Sequence, residues 1–189
     1  MRISGGSAKG RTVILKKAFV RKSGHDELRP TSGKVREAIF NILGPQVPGC
    51  RFLDLFAGTG AVGFEALSRG AREVDFVDIS GSRVRLIDDL AERFGFREHA
   101  CSVKENAEAY LRNNRTPYDI IFVDPPYASD ELTRILSLLD ADTVLAPGGT
   151  LIIEHAKKSS LPGKLEQAEL KKCYKYGDTM LSLYRKESS

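Results

Sequence analysis

From residue 51 onward, the apolar and polar positions alternate between two rhythms. "RFLDLF" (51–56) is a short apolar run of strand length, and "AVGFEALSRG" (61–70) reads as a helix. "EVDFVD" (73–78) is again a strand, and Val84, Ile87, Leu90, Ala91 and Phe94 mark one face of the helix that follows. "ACSVK" (100–104) is a weaker strand, followed by a helix through Tyr110 and Leu111. "YDIIFVD" (118–124) is a strong strand, "SDELTRILSLL" (129–139) a helix and "GGTLIIEH" (148–155) a strand. The tail, "LKKCYKYGDTMLSLYRK", reads as two strands joined at Gly177-Asp178. Upstream, Val35, Ala38, Ile39, Ile42 and Leu43 recur at helical spacing, with Arg36 and Glu37 off the stripe. Thr31 or Ser32 caps that helix and Gly44-Pro45 ends it.

Repeated strand–helix units predict a doubly wound, mostly parallel sheet with helices on both faces. A closing hairpin adds an antiparallel strand at one edge. Residues 1–28, rich in Gly, Lys and Arg and alternating in "RTVILK", are expected to form a basic arm or hairpin ahead of an α/β domain at 29–189.

Charge sharpens this division. Residues 1–36 hold ten basic side chains against Asp26 and Glu27, a net +8 in a chain of 189 residues whose total is +4, which leaves −4 on the rest. A basic arm on a mildly acidic body points to a polyanionic partner. No apolar run approaches the ~20 residues of a membrane span, and the start, "MRISGGSAKGR", lacks the apolar core of a signal peptide, so a cytoplasmic location is expected. Cys50, Cys101 and Cys173 are isolated thiols, and His25, His99 and His155 form no ligand pattern, so no metal site is expected.

In a doubly wound sheet, ligands bind beyond the carboxyl ends of the strands. "LDLFAGTGAVGFEAL" places Gly58-x-Gly60-x-x-Gly63 there, between a strand and a helix, with Asp78 ending the next strand. The loop fits NAD and S-adenosylmethionine equally. Asp54 favours the latter: a pyrophosphate needs donors and positive potential, whereas S-adenosylmethionine carries an ammonium and a sulfonium. Asp54 has the alternative of capping loop amides. Asp78 can accept both ribose hydroxyls. Asn106, after the third strand, can read the adenine edge or cap the next helix. With their neighbours, the candidate cofactor contacts are Asp54, Phe56, Gly58, Gly60, Asp78, Ile79, Asn106 and Ala107.

"FVDPPY" (122–127) carries the chemistry. Proline lacks an amide donor, so the strand stops at Asp124 and the chain leaves in a stiff turn. A base amine is a poor nucleophile, because its lone pair is spread into the ring. Methylation requires that nitrogen about 3 Å from the sulfonium methyl and in line with it. It also requires acceptors for the amine protons. Asp124 and the carbonyl of Pro125 supply them, and Tyr127 supplies a face for an extruded base.

"LDLFAGTGAVGFEALSRGA" and "FVDPPY" resemble a class I methyltransferase acting on an exocyclic amino group. With "LRPTSGKVREAIFNIL" and the "MRISGGSAKGR" start, nearly the whole chain resembles the small-subunit (16S) ribosomal RNA guanine-N2 methyltransferases. Asp78 departs from that pattern, which often has the longer glutamate. The resemblance implies a seven-stranded Rossmann-like sheet, S-adenosylmethionine as donor, and an assembled or assembling small ribosomal subunit as substrate. It implies catalytic roles for Asp124, Pro125 and Tyr127, and substrate contacts from Arg11, Arg29, Thr31, Lys34, Arg36 and Pro126. Independently of the resemblance, the charge of residues 1–28 leads us to expect phosphate contacts from them, and a monomer is the default expectation. Three other readings stay open: an adenine or cytosine amino methyltransferase acting on DNA or RNA, an NAD-dependent oxidoreductase, and a non-catalytic RNA-binding or assembly factor.

Overall fold

A computed structural model describes residues 1–13, 32–126 and 130–188. Its strands are β1 Arg51–Leu55, β2 Glu73–Asp78, β3 Ala100–Lys104, β4 Tyr118–Val123, β5 Leu145–Ala156, β6 Ala168–Tyr176 and β7 Thr179–Lys186. They form one sheet in the order β3-β2-β1-β4-β5-β7-β6. β1 to β5 run parallel, and β7 is antiparallel to both its neighbours. The antiparallel strand is therefore inserted, not at the edge as expected. Burial explains the choice: β7 buries Leu181, Ser182, Tyr184 and Lys186, while β6 buries only Ala168 and carries Lys171, Lys172 and Lys175 outward. A lysine-rich strand is suited to an edge.

The helices are α1 Gly33–Leu43, α2 Ala61–Ser68, α3 Gly81–Phe94, α4 Ala107–Asn113 and α5 Glu131–Leu139. Strand alternation sends Phe52, Phe76, Phe122 and Ile152 into a core shared with α1, α2 and α3. Leu53, Leu55, Val77, Ile121, Val123, Leu151 and Ile153 pack on the other side, with α4 and α5. The expected α3 stripe holds at Ile87, Leu90, Ala91 and Phe94, with Val84 half-buried. The α1 stripe is rotated from its expected position: Val35, Arg36, Ile39, Phe40 and Leu43 are buried, while Ala38 and Ile42 are half-buried. Two contacts turn it. Phe40 stacks on Phe52, and Arg36 reaches a buried acid on α2.

That acid is Glu65, whose side chain has no exposure. It accepts from Ser4 N at 2.8 Å, Ser4 Oγ at 2.7 Å and Arg69 Nε at 2.9 Å, and Arg36 Nε lies 3.4 Å away. Burial pushes the Glu65 carboxyl up, but the Ser4 and Arg69 donors outweigh it and hold it below the usual glutamate value. Residues 1–13 are stitched to the domain around this point. Ser7 N donates to Ser68 O, Ala8 N donates to Ser68 Oγ, and Ile3, Ala8 and Val13 join the core. The described part of the basic arm is thus a layer built onto the domain, with Arg2, Lys9 and Arg11 exposed on it. Residues 14–31 lie outside the described residues.

Glu65→Ala strips a buried cluster of its acceptor and leaves Arg36 buried without its counter-charge. We expect a loss of about 3–5 kcal/mol in urea unfolding, against roughly 1 kcal/mol for Ser4→Ala. Equal, small losses would show that the N-terminal layer contributes little.

Candidate active site

The carboxyl ends of β1 to β5 gather the acids named from the sequence. β1 pairs with β4 through Leu55 and Val123, and β4 pairs with β5 through Val123 and Ile153. One residue further along stand Asp124 and Glu154, on adjacent strands. Asp54, Asp78 and Glu154 share a sheet face with Phe76, Phe122 and Ile152, and Asp124 continues that row just past the end of β4. Asp54 is 2% exposed, Asp78 4% and Glu154 5%.

The first two acids shape the glycine loop. Gly58 and Gly60 have φ of +56° and +71°, the left-handed region. Asp78 Oδ2 accepts from Gly58 N at 2.9 Å, and its Oδ1 accepts from Ser80 N at 2.8 Å. Asp54 Oδ2 accepts from Gly63 N at 2.9 Å. A Cβ on Gly63 would lie 2.2 Å from the Phe76 ring, so α2 sits hard against β2. Phe56 is the only non-glycine residue with positive φ among the described residues, at +64°. A bulky side chain in that region costs of order 1–3 kcal/mol. The strain falls where β1 hands the chain to the loop. Next to it, Asp124 N donates to Leu55 O at 3.4 Å.

The remaining cofactor candidates sit on the same rim. Ile79 is 65% exposed, the one large apolar side chain among the described residues that the core leaves in solvent. Asn106 caps α4, its Oδ1 accepting from Ala109 N at 2.8 Å, and Ala107 is buried behind it. Asp124 is half-buried, Pro125 buried and Pro126 exposed. Tyr127 lies outside the described residues, as do Arg29 and Thr31.

Two substrate candidates are corrected. Arg36 is 6% exposed and turned inward to Glu65 and the Arg2 carbonyl. Arg11 donates to Phe94 O at the C-terminus of α3. That helix starts at the site and runs about 20 Å away from it, so Arg11 belongs to the opposite edge of the sheet. Lys34 is exposed at the start of α1. There Ser32 is the cap, its Oγ accepting from Val35 N. Gln46, just past the other end of α1, meets Thr150 of β5, which pairs with Ile120 near the start of β4. The N-terminus of α1 therefore points toward the carboxyl edge. Glu154 was missed in the sequence. Its signal was present: "TLIIEH" ends an apolar run in an acid, as Asp78 and Asp124 do.

This donor set suits a cationic ligand. Asp78, Asp124 and Glu154 stand along one rim with the protonated Asp54 buried beside them, a set hostile to a pyrophosphate and favourable to an ammonium and a sulfonium. Ile79 offers an apolar platform beside Asp78. Among the described residues no group of His, Cys, Asp and Glu could hold a metal ion, and no helix is long and apolar enough to cross a membrane.

Strand order, inserted antiparallel β7 and acid-rimmed glycine loop together define an S-adenosylmethionine-dependent methyltransferase of class I architecture. The chain belongs to the family described as Conserved hypothetical protein 95, whose profile matches residues 1–185. It is 33% identical over 190 residues to Ribosomal RNA small subunit methyltransferase D of Escherichia coli, covering 100% of this chain and 91% of that one. It is 35% identical over 189 residues to YlbH of Bacillus subtilis, covering 98% and 99%. The solved structure of YhhF from Escherichia coli superposes with a TM-score of 0.84 at 30% identity, over 100% of this chain and 99% of that one.

Burial pushes the Asp54 carboxyl from the ordinary 3.8 up to about 8, against the lowering effect of the Gly63 hydrogen bond, and the Asp78 charge adds to the rise. Between about 4 and 8 the folded chain therefore holds a proton that the unfolded chain has released. Stability attributable to Asp54 falls as pH rises through that window. Asp54→Asn keeps an acceptor for Gly63 N–H and removes the titration. The melting temperature of the unaltered protein should fall relative to that of the variant as pH rises from about 4 to about 8. Parallel curves would deny Asp54 this role.

Proposed function

We propose that the protein transfers a methyl group from S-adenosylmethionine to the exocyclic N2 amine of a guanine in small-subunit ribosomal RNA. The observation that carries this reading is Asp124 at the end of β4. It stands beside the strained Phe56 and the glycine loop, and is followed at once by Pro125 and Pro126, in a chain of the family given above. The relative from Escherichia coli, named for small-subunit ribosomal RNA, supports the substrate class.

The cofactor supplies a methyl group on a sulfonium, already activated for transfer. The chain's own residues position the acceptor. An ionised carboxylate only accepts hydrogen bonds. Guanine presents two adjacent donors, N1–H and the N2 amine, and the two oxygens of Asp124 match them. Adenine and cytosine present an amine beside a ring-nitrogen acceptor, which a carboxylate cannot serve. The carbonyl of Pro125, fixed by the proline turn, takes the second amine proton. This is preorganisation, with no group reorienting during the reaction. The amine becomes acidic as positive charge develops, and its proton leaves to Asp124 or to water. Tyr127 stacks the extruded base, and Arg29, Thr31, Lys34 and Pro126 contact the RNA around it. The substrate is an assembled or assembling small subunit, and the protein works as a cytoplasmic monomer.

The test is nucleoside mass spectrometry of unmodified small-subunit RNA, free and in particles, after incubation with labelled S-adenosylmethionine. N2-methylguanosine is expected. Methyl on adenine N6 or cytosine N4 alone would overturn the base and leave the transferase. Asp124→Ala should retain cofactor binding by calorimetry and lose at least ~100-fold in rate. Asp124→Asn should also be impaired, because its amide donor faces N1–H.

Gly60→Val should abolish thermal stabilisation by S-adenosylhomocysteine. It forces a β-branched residue into φ +71° and drives its Cβ to 3.0 Å from Phe64. Stabilisation of the unaltered protein by NAD, with none by S-adenosylhomocysteine, would refute the cofactor.

A further inference from the structure

A groove of about 580 Å³ opens between α1 and the edge strand β6, away from the glycine loop. Lys34, Glu37, Asn41 and Ile42 form one wall, and Tyr174 and Tyr176 form the other. Register fixes its place. Glu154 on β5 pairs with Leu181 on β7, and Leu181 pairs with Tyr174 on β6. Tyr174 therefore lies in the row of Asp124, three strand spacings along, about 14 Å. Tyr176 is two residues nearer the carboxyl edge, level with Ala156. The groove and the acid-rimmed site open on one edge of the same sheet.

Its chemistry suits bases and phosphates. Both tyrosines are half-buried, so each ring is held by the core yet accessible. Residues two apart on one face are about 7 Å apart along a strand. That is too far for two bases stacked on each other and suits bases splayed from an extended strand, each on its own ring. Lys172 holds its ammonium 4.9 Å from the centre of the Tyr174 ring, a weak contact at an exposed site that an incoming base can displace toward its own phosphate. Lys34 adds exposed positive charge, against Glu37 on the wall. Asn41 offers an amide with both a donor and an acceptor for a base edge.

We propose that this groove is a second RNA subsite, holding splayed bases of single-stranded ribosomal RNA a few nucleotides from the target guanine. The inference rests on the reading of the protein as an RNA methyltransferase. Stacking between base and tyrosine gives it affinity with little sequence preference, and the lysines hold the backbone. The site 14 Å away is acidic, so binding energy gathered in the groove brings a polyanion to a rim that otherwise repels it.

The test uses the full chain and two RNAs: a short single-stranded RNA carrying 5-bromouridine, and deproteinised small-subunit ribosomal RNA. Ultraviolet crosslinking of the unaltered protein should map to Tyr174 or Tyr176. Tyr176→Ala should weaken RNA binding about tenfold, the scale of one lost stack, while Tyr176→Phe keeps the affinity of the unaltered chain. Lys34→Gln and Lys172→Gln should each lower the salt slope by about one. S-adenosylhomocysteine affinity and melting temperature, measured on every variant, should be unchanged. Crosslinks confined to other segments, or a folded Tyr176→Ala protein that binds both RNAs as before, overturn the subsite while methyl transfer by the unaltered protein stands. In a third arm with assembled small-subunit particles, a loss seen there and with neither RNA assigns the groove to a ribosomal protein and overturns the RNA occupant. A dimer in sedimentation that Tyr176→Ala dissociates assigns it to a second copy and does the same. If the unaltered protein neither binds nor methylates RNA, this proposal and the functional reading fall together.

Discussion

The site depends on one hydrogen bond between two consecutive elements, β1 and the α2 helix that follows it. Gly60 caps α2 without a side chain, so the first amides of that helix need acceptors from elsewhere. Asp54, inside β1, reaches across to Gly63 N. It is a helix cap supplied by a strand. The carboxyl also lies on the positive end of the helix dipole, which favours its charge, yet burial dominates and keeps its proton on until about pH 8. Asp78 does the matching job from β2, holding Gly58 N. Between them the two acids fix both ends of a loop whose glycines would otherwise be free to move.

The same economy governs the end of β4. β1 and β4 are neighbours, and each ends in an abrupt departure: β1 in the positive φ of Phe56, β4 in two successive prolines. Neither is a cheap way to leave a strand. A relaxed turn would let the chain ends fluctuate, whereas these exits hold Asp124 at a fixed height above the sheet. The strain at Phe56 is maintained by the pairing beneath it, where Ala57 N donates to Val77 O on β2.

Much of this was legible in the sequence, and the limits have physical causes. The strands were readable because each is a short apolar run bounded by turn residues. The site acids Asp54, Asp78 and Asp124 were readable because a carboxylate within or at the end of an apolar run is costly without a purpose. Glu154 followed the same rule and went unnoticed, because the antiparallel partner that buries it comes later in the chain. Arg36 was misjudged for a related reason. Helical spacing places it off the apolar stripe, and only the tertiary contact with Glu65, 29 residues later in sequence, shows why an arginine should turn inward. The basic count of residues 1–36 treated every cation alike. The fold separates them: Arg36 is consumed by a buried acid, Arg11 is exposed but anchored to the carbonyl of Phe94 at the far end of α3, and Lys34 is exposed at the start of α1.

That separation resolves an electrostatic conflict in the proposed reaction. A site rimmed by acids suits a cationic donor and disfavours a nucleic acid backbone. Phosphates cannot enter it, and need not. Only a neutral base has to reach Asp124, and a base extruded from its strand leaves its phosphates outside. The cations that face solvent stand around the rim, not in it: Lys34 at the start of α1, Lys104 at the end of β3, Lys172 and Lys175 on β6. With a Debye length near 8 Å at physiological salt, cations set outside the rim act on a backbone that passes over them without having to pair with the acids of the rim. The acidic centre and the basic surround are two parts of one arrangement, which sorts the RNA atom by atom, the base inward and the phosphates out.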